Sequence, residues 1–159
     1  MDRIKILKAL AADAKKLTQL ALRSKAYWKY SKEQLESWKE ELTVTKEYLQ
    51  VHHVFKAVKN DIIVGFYTFK NLDPQNIKLD FFFVDPKYIN QGFGKILMLD
   101  FLDRINTSKH KRVTVLSDPN AQKFYSKFGF RVTKTVESSI KNRFLPIMEK
   151  KLKTVNQTP

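Results

Sequence analysis

The sequence predicts a single α/β (α+β) domain with a mixed sheet over residues 1–153, followed by a frayed tail at 154–159. Three observations carry this prediction. A strand and a helix open the chain, a run of β-type segments follows, and a strongly apolar helix then connects two strands as a β-α-β unit. With 43% hydrophobic residues, a chain of 159 residues can bury one substantial core but not two.

The first third alternates strand and helix. Ile4 and Ile6 alternate with charged residues as a strand does, and apolar residues from Leu10 to Ala21 recur at helical spacing. The segment Ser31–Gln34 has the form of a capping box, which predicts a second helix after it. Between the two helices, Arg23 to Tyr30 is aromatic and basic and is interpreted as a linker.

The middle of the chain predicts three strands in a meander. Val54 to Val58 and Ile62 to Phe69 are rich in β-branched and aromatic residues, and the turn sequence Lys59–Asp61 between them predicts a hairpin. A second turn at Asn71–Asn76 leads to a third apolar strand, Ile77 to Val84, which ends at an Asp-Pro pair.

A β-α-β unit and a short helix complete the predicted domain. The helix from Ile96 to Ile105 is strongly apolar, and a short strand at Arg112–Leu116 follows it. Asp118 and Pro119 are typical of the N-cap and first position of a helix, which is expected to run to Phe128. The two closing strands are Phe130 to Glu137 and Pro146 to Leu152.

Composition limits the compartment and the partners. Without cysteine there is no disulfide, no thiolate nucleophile and no cysteine-bound metal, and the three histidines have no metal-ligand spacing, so no metal is expected. The absence of an apolar leader or a membrane-length run predicts a cytoplasmic protein without a membrane partner. The net charge of +14 includes twelve cations against three acids from Lys109 onward, which favours an anionic partner, either nucleic acid or a phosphate-rich cofactor. A lysine-rich solvated surface is the alternative explanation.

Two of the four glycines, Gly92 and Gly94, lie together where a strand passes into a helix. Glycine permits a tight turn and close approach of a ligand to the backbone, and the helix N-terminus beyond it favours an anion. The segment Ile89–Lys95, called the glycine loop below, is therefore a candidate phosphate cradle. A plain glycine turn explains the same pattern, and neither a dinucleotide fingerprint nor a P-loop is present. The loop residues are Ile89, Asn90, Gln91, Gly92, Phe93, Gly94 and Lys95.

The sequence contains two recognisable motifs. The first is Phe83-Val84-Asp85-Pro86 followed by the glycine loop, and the second is the run from Asn120 to Phe130. They resemble the motifs of the GNAT superfamily of acetyl-CoA-dependent N-acyltransferases. The family patterns are Val-x-Pro with Arg/Gln-x-x-Gly-x-Gly/Ala for the first motif and Asn-Ala-x-x-Phe-Tyr-x-x-x-Gly-Phe for the second. Segments Ser24–Trp28 and Arg143–Met148 also resemble a bacterial subgroup. One departure is Ile89, which stands where the family has Arg or Gln.

The resemblance implies a fold and a cofactor. It implies a mostly antiparallel sheet with helices on both faces, splayed between the fourth and fifth strands, and acetyl-CoA as co-substrate. Main-chain groups of Phe82, Phe83 and Val84 are then expected to bind the pantetheine arm, although this segment also fits an ordinary core strand. The second motif implies cofactor contacts from Asn120 and Phe124, while turn chemistry after Asp118 explains Asn120 equally well.

The resemblance also implies catalytic groups. Tyr125 matches the family tyrosine that protonates the leaving sulfur, and a phenol remains protonated at neutral pH. Asp80 lies four residues before Val84 and therefore on the same strand face, where many members of the family place a carboxylate base. A turn or surface role is the alternative for Asp80, and His52 or His53 would have a suitable pKa for the same task.

The acceptor is expected to be a small molecule. The resemblance places Tyr27, Trp28 and Tyr30 in a lid over the acceptor, while packing of the helix connection explains the last two as well. The predicted function is transfer of acetyl from acetyl-CoA to a primary amine by direct transfer in a ternary complex. Alternatives are a protein or peptide amine acetyltransferase, an acyl-CoA binding module without turnover, and a nucleic-acid binding module, which is disfavoured because the aromatic residues alternate as core. A homodimer is compatible with these observations.

Overall fold

The computed structural model describes residues 3–106, 108–138, 140 and 142–153, and the tail predicted at 154–159 lies outside this part. The described strands are β1 (Ile4–Lys8), β2 (His53–Lys59), β3 (Ile62–Asn71), β4 (Asn76–Val84), β5 (Arg112–Leu116), β6 (Arg131–Glu137) and β7 (Phe144–Lys151). The described helices are α1 (Ala14–Ala26), α2 (Lys32–Ser37), α3 (Lys46–Val51), α4 (Phe93–Asn106) and α5 (Gln122–Lys127), with 3-10 turns at Ala11–Asp13, Pro86–Tyr88 and Pro119–Ala121. None of the described helices is long and apolar enough to cross a bilayer.

The strands form one sheet in the order β1-β2-β3-β4-β5-β7-β6. β1 with β2, β2 with β3, β5 with β7 and β6 with β7 are antiparallel, whereas β4 and β5 are parallel. This confirms the mixed, mostly antiparallel sheet and the β-α-β unit. The parallel ladder joins Asn76–Leu79 to Arg112–Val115, and β4 continues beyond the ladder to Val84.

The chain forms two compact units, and β4 contributes to both. The first unit comprises Met1–Phe69 and Phe81–Leu102, and the second comprises Lys70–Asp80 and Asp103–Pro159. In the first unit, six consecutive residues of β3, Val64 to Phe69, are buried, so both faces of this strand are covered. Tyr67 on one face contacts Phe101 of α4, at 5.4 Å between ring centroids, and its hydroxyl donates to Asp100 at 2.6 Å.

In the second unit the sheet has one apolar face. Val113, Val115 and Met148 are buried, and the register places Val115 opposite Met148. Lys150, two residues beyond Met148 and therefore on the same face, donates to the carbonyl of Phe128 at the end of α5 at 2.7 Å. The helix therefore packs on the apolar face of this part of the sheet.

Most predicted strands are confirmed, and the helices of the first third differ from prediction. Asn60 and Asp61 have positive φ, 50° and 65°, as a two-residue hairpin turn between β2 and β3 requires. The linker prediction for Arg23–Tyr30 is wrong over its first half, since α1 continues to Ala26. α2 has the predicted capping box, but it ends at Ser37. The sequence interpretation missed α3, which the side chain of Thr45 caps.

Candidate functional site

The far end of β4, where cofactor contacts were predicted, is held from α1. Ser24 of α1 donates its hydroxyl to the carbonyl of Val84 at 3.1 Å. Asp85, 5% exposed, pairs with Arg23 at 2.7 Å, and its amide donates to the carbonyl of Val64 at 2.8 Å. This packing, absent from the linker interpretation, explains why the helix continues past Ala21: its last turn anchors the strand end.

A buried hydroxyl fixes the residue just before the predicted pantetheine segment. The amide of Phe81 donates to Oγ1 of Thr68 at 3.0 Å, and the same oxygen lies 2.8 Å from the hydroxyl of Tyr48. Thr68 is fully buried, so its hydroxyl holds the Phe81 amide where water does not reach it. Phe82 and Phe83 follow it with half-buried side chains. The orientation of this backbone therefore depends on a threonine that the sequence prediction missed, because no local pattern connects Thr68 with an amide 13 residues away.

The glycine loop bends sharply before α4. Asp85 caps the 3-10 turn that precedes the loop by accepting from the amide of Lys87 at 3.1 Å. Asn90 and Gly92 have positive φ, 65° and 86°, and the carbonyl of Gly92 accepts the bond from the Ile96 amide that opens the helix. A Cβ added at Gly92 would meet nothing within 4 Å, so glycine is needed there for its conformation rather than for space within the protein.

The first amides of α4 are the part of this loop whose chemistry favours an anion. In a helix of 14 residues, the amides of the first turn lack intrahelical partners and lie at the positive end of the dipole. Gly94 is the second residue of this turn, whereas the ring of Phe93 is 3% exposed and packs edge-on against Tyr88 at 5.9 Å. Phe93 can therefore offer its main chain only. The half-buried Ile89 offers no polar side chain, while Gln91 and Lys95 are exposed.

The predicted lid residues separate into two groups. Tyr27 and Trp28 are 48% and 45% exposed and contact each other edge-on at 5.1 Å. Tyr30 instead packs edge-on against the buried Trp38 at 4.8 Å, and the ammonium of Lys25 lies over both rings. Exposed aromatic surface is thus concentrated at Tyr27 and Trp28, and Tyr30 is part of the packing that holds α2.

In the second unit, Asn120, Phe124 and Tyr125 lie in one turn-and-helix segment. Oδ1 of Asp118 accepts from both the backbone and the side-chain amide of Asn120, at 2.8 and 2.9 Å, and its other oxygen lies 3.3 Å from Arg143. The exposed Asn120 therefore takes part in the expected turn, with one side-chain donor directed at Asp118. Phe124 is half-buried and packs against Tyr125.

Tyr125 is almost completely buried. It is 5% exposed, and its ring lies edge-on to Phe130 with the centroids 5.6 Å apart. Burial raises the pKa of the Tyr125 hydroxyl well above its ordinary value, and the negative charge of Asp118 raises it further. The phenol is therefore protonated at every physiological pH, as a hydrogen-bond donor must be.

Asp80 lies within β4 between two lysines. Its carboxylate oxygens are 3.4 Å from the Lys70 ammonium and 3.9 Å from that of Lys78, and its side chain is 19% exposed. The histidines weighed as alternative bases have other contacts, since His52 packs on Tyr48 and the ring of His53 stacks on Phe69 at 4.5 Å.

Comparison with known proteins identifies the family to which the chain belongs. Residues 27–152 match the sequence model of the family described as an acetyltransferase (GNAT) domain. The structure is similar to PaiA N-acetyltransferase from Thermoplasma acidophilum in complex with coenzyme A, with 24% identity, TM-score 0.78 and coverage of 94% of this chain and 99% of that chain. It is also similar to the ribosomal-protein-S18-alanine N-acetyltransferase from Escherichia coli, with 16% identity, TM-score 0.74 and 99% of both chains covered. No curated protein sequence matches significantly.

Proposed function

The chain belongs to the GNAT family of acetyltransferases, which use acetyl-CoA, and from this premise we propose that it acetylates a primary amine of a small molecule by direct transfer in a ternary complex. The observation that carries the proposal is the glycine loop, in which Gly92 at φ 86° opens a helix of 14 residues. That combination suits a pyrophosphate, because the amides of the first turn are directed at the bound anion. The absence of cysteine from the sequence agrees with transfer without an acyl-cysteine intermediate.

Main-chain groups are proposed to hold the rest of the cofactor. The backbone of Phe82–Val84 is the proposed contact for the pantetheine arm, and a backbone amide there would face the thioester carbonyl as an oxyanion donor. The bonds from Thr68 to Phe81 and from Ser24 to Val84 keep both ends of this segment in place. Asn120 and Phe124 are proposed as additional cofactor-binding residues.

The proposed reaction needs two proton movements. The neutral amine attacks the thioester carbon, the new C–N bond forms, and the C–S bond breaks with its electron pair leaving on sulfur. The nitrogen loses a proton, which Asp80 accepts directly or through water, while the hydroxyl of Tyr125 donates to the departing sulfur. Because the pKa of Tyr125 is raised, a hydrogen bond to the thiolate is favoured over complete proton transfer.

The acceptor is proposed to be small and to contact the lid. Tyr27 and Trp28 provide exposed aromatic surface that suits the apolar body of such an amine. Acetylation of a basic protein is less favourable, since a surface with a net charge of +14 repels a cationic partner.

Calorimetry with acetyl-CoA, CoA and an oligonucleotide tests the cofactor assignment. Both CoA species should bind, and Gly92→Ala combined with Gly94→Ala should weaken binding while the fold persists, because added Cβ atoms obstruct approach of the pyrophosphate. Gly129→Ala is a matched control, since Gly129 has a similar φ of 89° but lies after α5. It should cost similar stability without the loss of CoA affinity.

The outcomes separate the alternatives clearly. Tight oligonucleotide binding with no heat from either CoA species would replace the enzyme with a nucleic-acid binding module. Binding of acetyl-CoA without transfer to any amine of a broad panel would favour a non-catalytic acyl-CoA module. Equal loss of CoA affinity in the Gly129→Ala control would show that backbone strain alone, and not the glycine loop, controls the affinity.

A further inference from the structure

One face of the sheet in the second unit is polar across four strands. Successive residues of a strand point to opposite faces, so the strand pairing determines which side chains share a face. The register aligns Lys78 of β4 with Thr114 of β5, Thr114 with Glu149 of β7, and Glu149 with Arg131 of β6. In the next row, Arg112 is opposite Lys151. We call this side the polar face; it lies opposite the apolar face on which α5 packs.

Positive charge exceeds negative charge on the polar face. Lys134 of β6 belongs to it because it is opposite Ile147, which is two residues from Glu149. Lys70 reaches it by its contact with Asp80, which has the same strand parity as Lys78. Among the described residues, this face carries two acids, Asp80 and Glu149, and six cations. The cations are Lys70, Lys78, Arg112, Arg131, Lys134 and Lys151.

Asp80 occupies a particular position on this face. The parallel ladder ends at Leu79, so Asp80 is the first residue of β4 beyond it. Two ammonium groups, at 3.4 and 3.9 Å, flank its single carboxylate. An acceptor ammonium approaching Asp80 therefore meets two like charges beside one opposite charge, and like-charge juxtaposition is costly unless the acceptor brings an anion of its own.

We propose that Lys70 and Lys78 determine acceptor specificity by binding a carboxylate or phosphate of the amine that is acetylated, while Asp80 receives its ammonium. This inference rests on the proposed acetyltransferase function and narrows its substrate class. The acceptor is a small amine with the anionic group a few bonds from the nitrogen, such as an amino acid or an aminoalkyl phosphate. Polyamines are disfavoured because every additional ammonium faces the same excess of positive charge.

The chemistry of the transfer is unchanged by this selection. The acceptor binds as a zwitterion, its ammonium releases one proton to solvent, and the resulting neutral amine attacks the thioester. The anion stays on the two lysines throughout, while the Asp80 carboxylate accepts the proton that the nitrogen loses as the new C–N bond forms. Lys70 and Lys78 touch the substrate in this scheme without exchanging a proton with it.

Matched pairs of acceptors test the proposal with the full chain and acetyl-CoA. One pair is an α-amino acid and its carboxamide, and a second pair is phosphoethanolamine and ethanolamine. A diamine is included as an acceptor that carries only positive charge. At low salt, kcat/KM should be about tenfold or more higher for the anionic member of at least one pair, which corresponds to about 1.4 kcal/mol of discrimination. The preference should shrink as ionic strength rises, because salt screens exposed charges.

Variants of Lys70 and Lys78 test whether these lysines cause the preference for anionic acceptors. Lys70→Gln combined with Lys78→Gln should reduce the anionic preference to about twofold or less by raising KM for the anionic member only, whereas Lys70→Arg with Lys78→Arg should retain it. Lys15→Gln with Lys46→Gln removes the same charge from exposed sites in the first unit and should leave the preference unchanged.

The experiments distinguish failure of this inference from failure of the proposed function. Equal or better use of the carboxamide, ethanolamine and diamine by an active enzyme would overturn the selection of anionic acceptors and leave acetyl transfer intact. Acetylation of an acidic peptide with no small amine used would overturn the small-molecule assignment. Absence of acetyl-CoA binding in calorimetry would remove the proposed function itself and the inference with it.

Discussion

Replacing Thr68 with valine removes one buried hydroxyl and leaves the size of the side chain almost unchanged. The side chain keeps its shape, but Oγ1, which accepts from the Phe81 amide at 3.0 Å and lies 2.8 Å from the Tyr48 hydroxyl, is replaced by a methyl. Thr68 is fully buried, so water does not reach the abandoned amide in the folded protein. Tyr48 is half-buried, whereas the Phe81 amide would be left in a buried environment, so we expect the main cost at Phe81.

The expected magnitude follows from these two groups. A buried donor without a partner costs about 1–3 kcal/mol, while the additional buried methyl returns about 0.8 kcal/mol. A net loss of about 0.2–2.2 kcal/mol should lower Tm by up to roughly 9 °C for a chain of this size. Because Phe81 precedes the proposed pantetheine segment, acetyl-CoA affinity should fall several-fold as the backbone shifts to find another acceptor.

Urea denaturation and calorimetry with acetyl-CoA measure the two effects, and two further variants separate them. Thr68→Ser keeps the hydroxyl, so it should retain acetyl-CoA affinity even though losing a methyl costs about 1 kcal/mol of stability. Tyr48→Phe keeps the bond between Thr68 and Phe81 and should likewise bind acetyl-CoA normally. The reasoning is refuted if Thr68→Val matches the wild type in both measurements, or if Thr68→Ser loses as much affinity as Thr68→Val.

Substitutions at Gly65 and Tyr125 test packing and catalysis. Gly65→Ala should cost about 1–3 kcal/mol in denaturation, because its Cβ would lie 2.8 Å from the Phe83 carbonyl oxygen and 2.9 Å from the side chain of Leu97; an unchanged midpoint contradicts this. Tyr125→Phe should lower kcat by about a hundredfold, the lower end of the range for general acids, since a raised pKa makes Tyr125 a weaker acid. Unaltered turnover would show that another group donates to the departing sulfur. Above about pH 10 Tyr125 loses its proton in the unfolded chain but keeps it in the folded protein, which lowers the stability of the folded protein as the pH rises. In alkaline denaturation the wild type should therefore lose stability more steeply than Tyr125→Phe. Parallel curves of stability against pH for the two proteins would contradict the raised pKa.

Local patterns predicted the sheet well because its strands are determined by short-range chemistry. The hairpin between β2 and β3 needs two residues with positive φ, and Asn60 and Asp61 tolerate that conformation better than most. The motif segments were also placed correctly, since the Asp85 and Asp118 turns are capped within two residues of each aspartate.

The errors fall where distant contacts override local preference. Arg23 and Ser24 belong to α1 because Asp85 and the Val84 carbonyl, about sixty residues later, bind them. α3 has only six residues, so its hydrophobic periodicity is too short to recognise, although Thr45 is a typical N-cap. Thr68 is important only through an amide 13 residues away, which no local pattern reveals.

Burial of Tyr125 has two opposing consequences for the proposed chemistry. The raised pKa makes the phenol a weaker acid than a thiol, so it cannot deliver a full proton to sulfur without an energetic cost. The same burial keeps its proton in place at every working pH and strengthens a hydrogen bond by removing competing water. A group that stabilises a thiolate without surrendering its proton needs no reprotonation between turnovers. The alkaline limit of activity should then come from groups other than Tyr125, and the acidic limit from protonation of the acceptor amine.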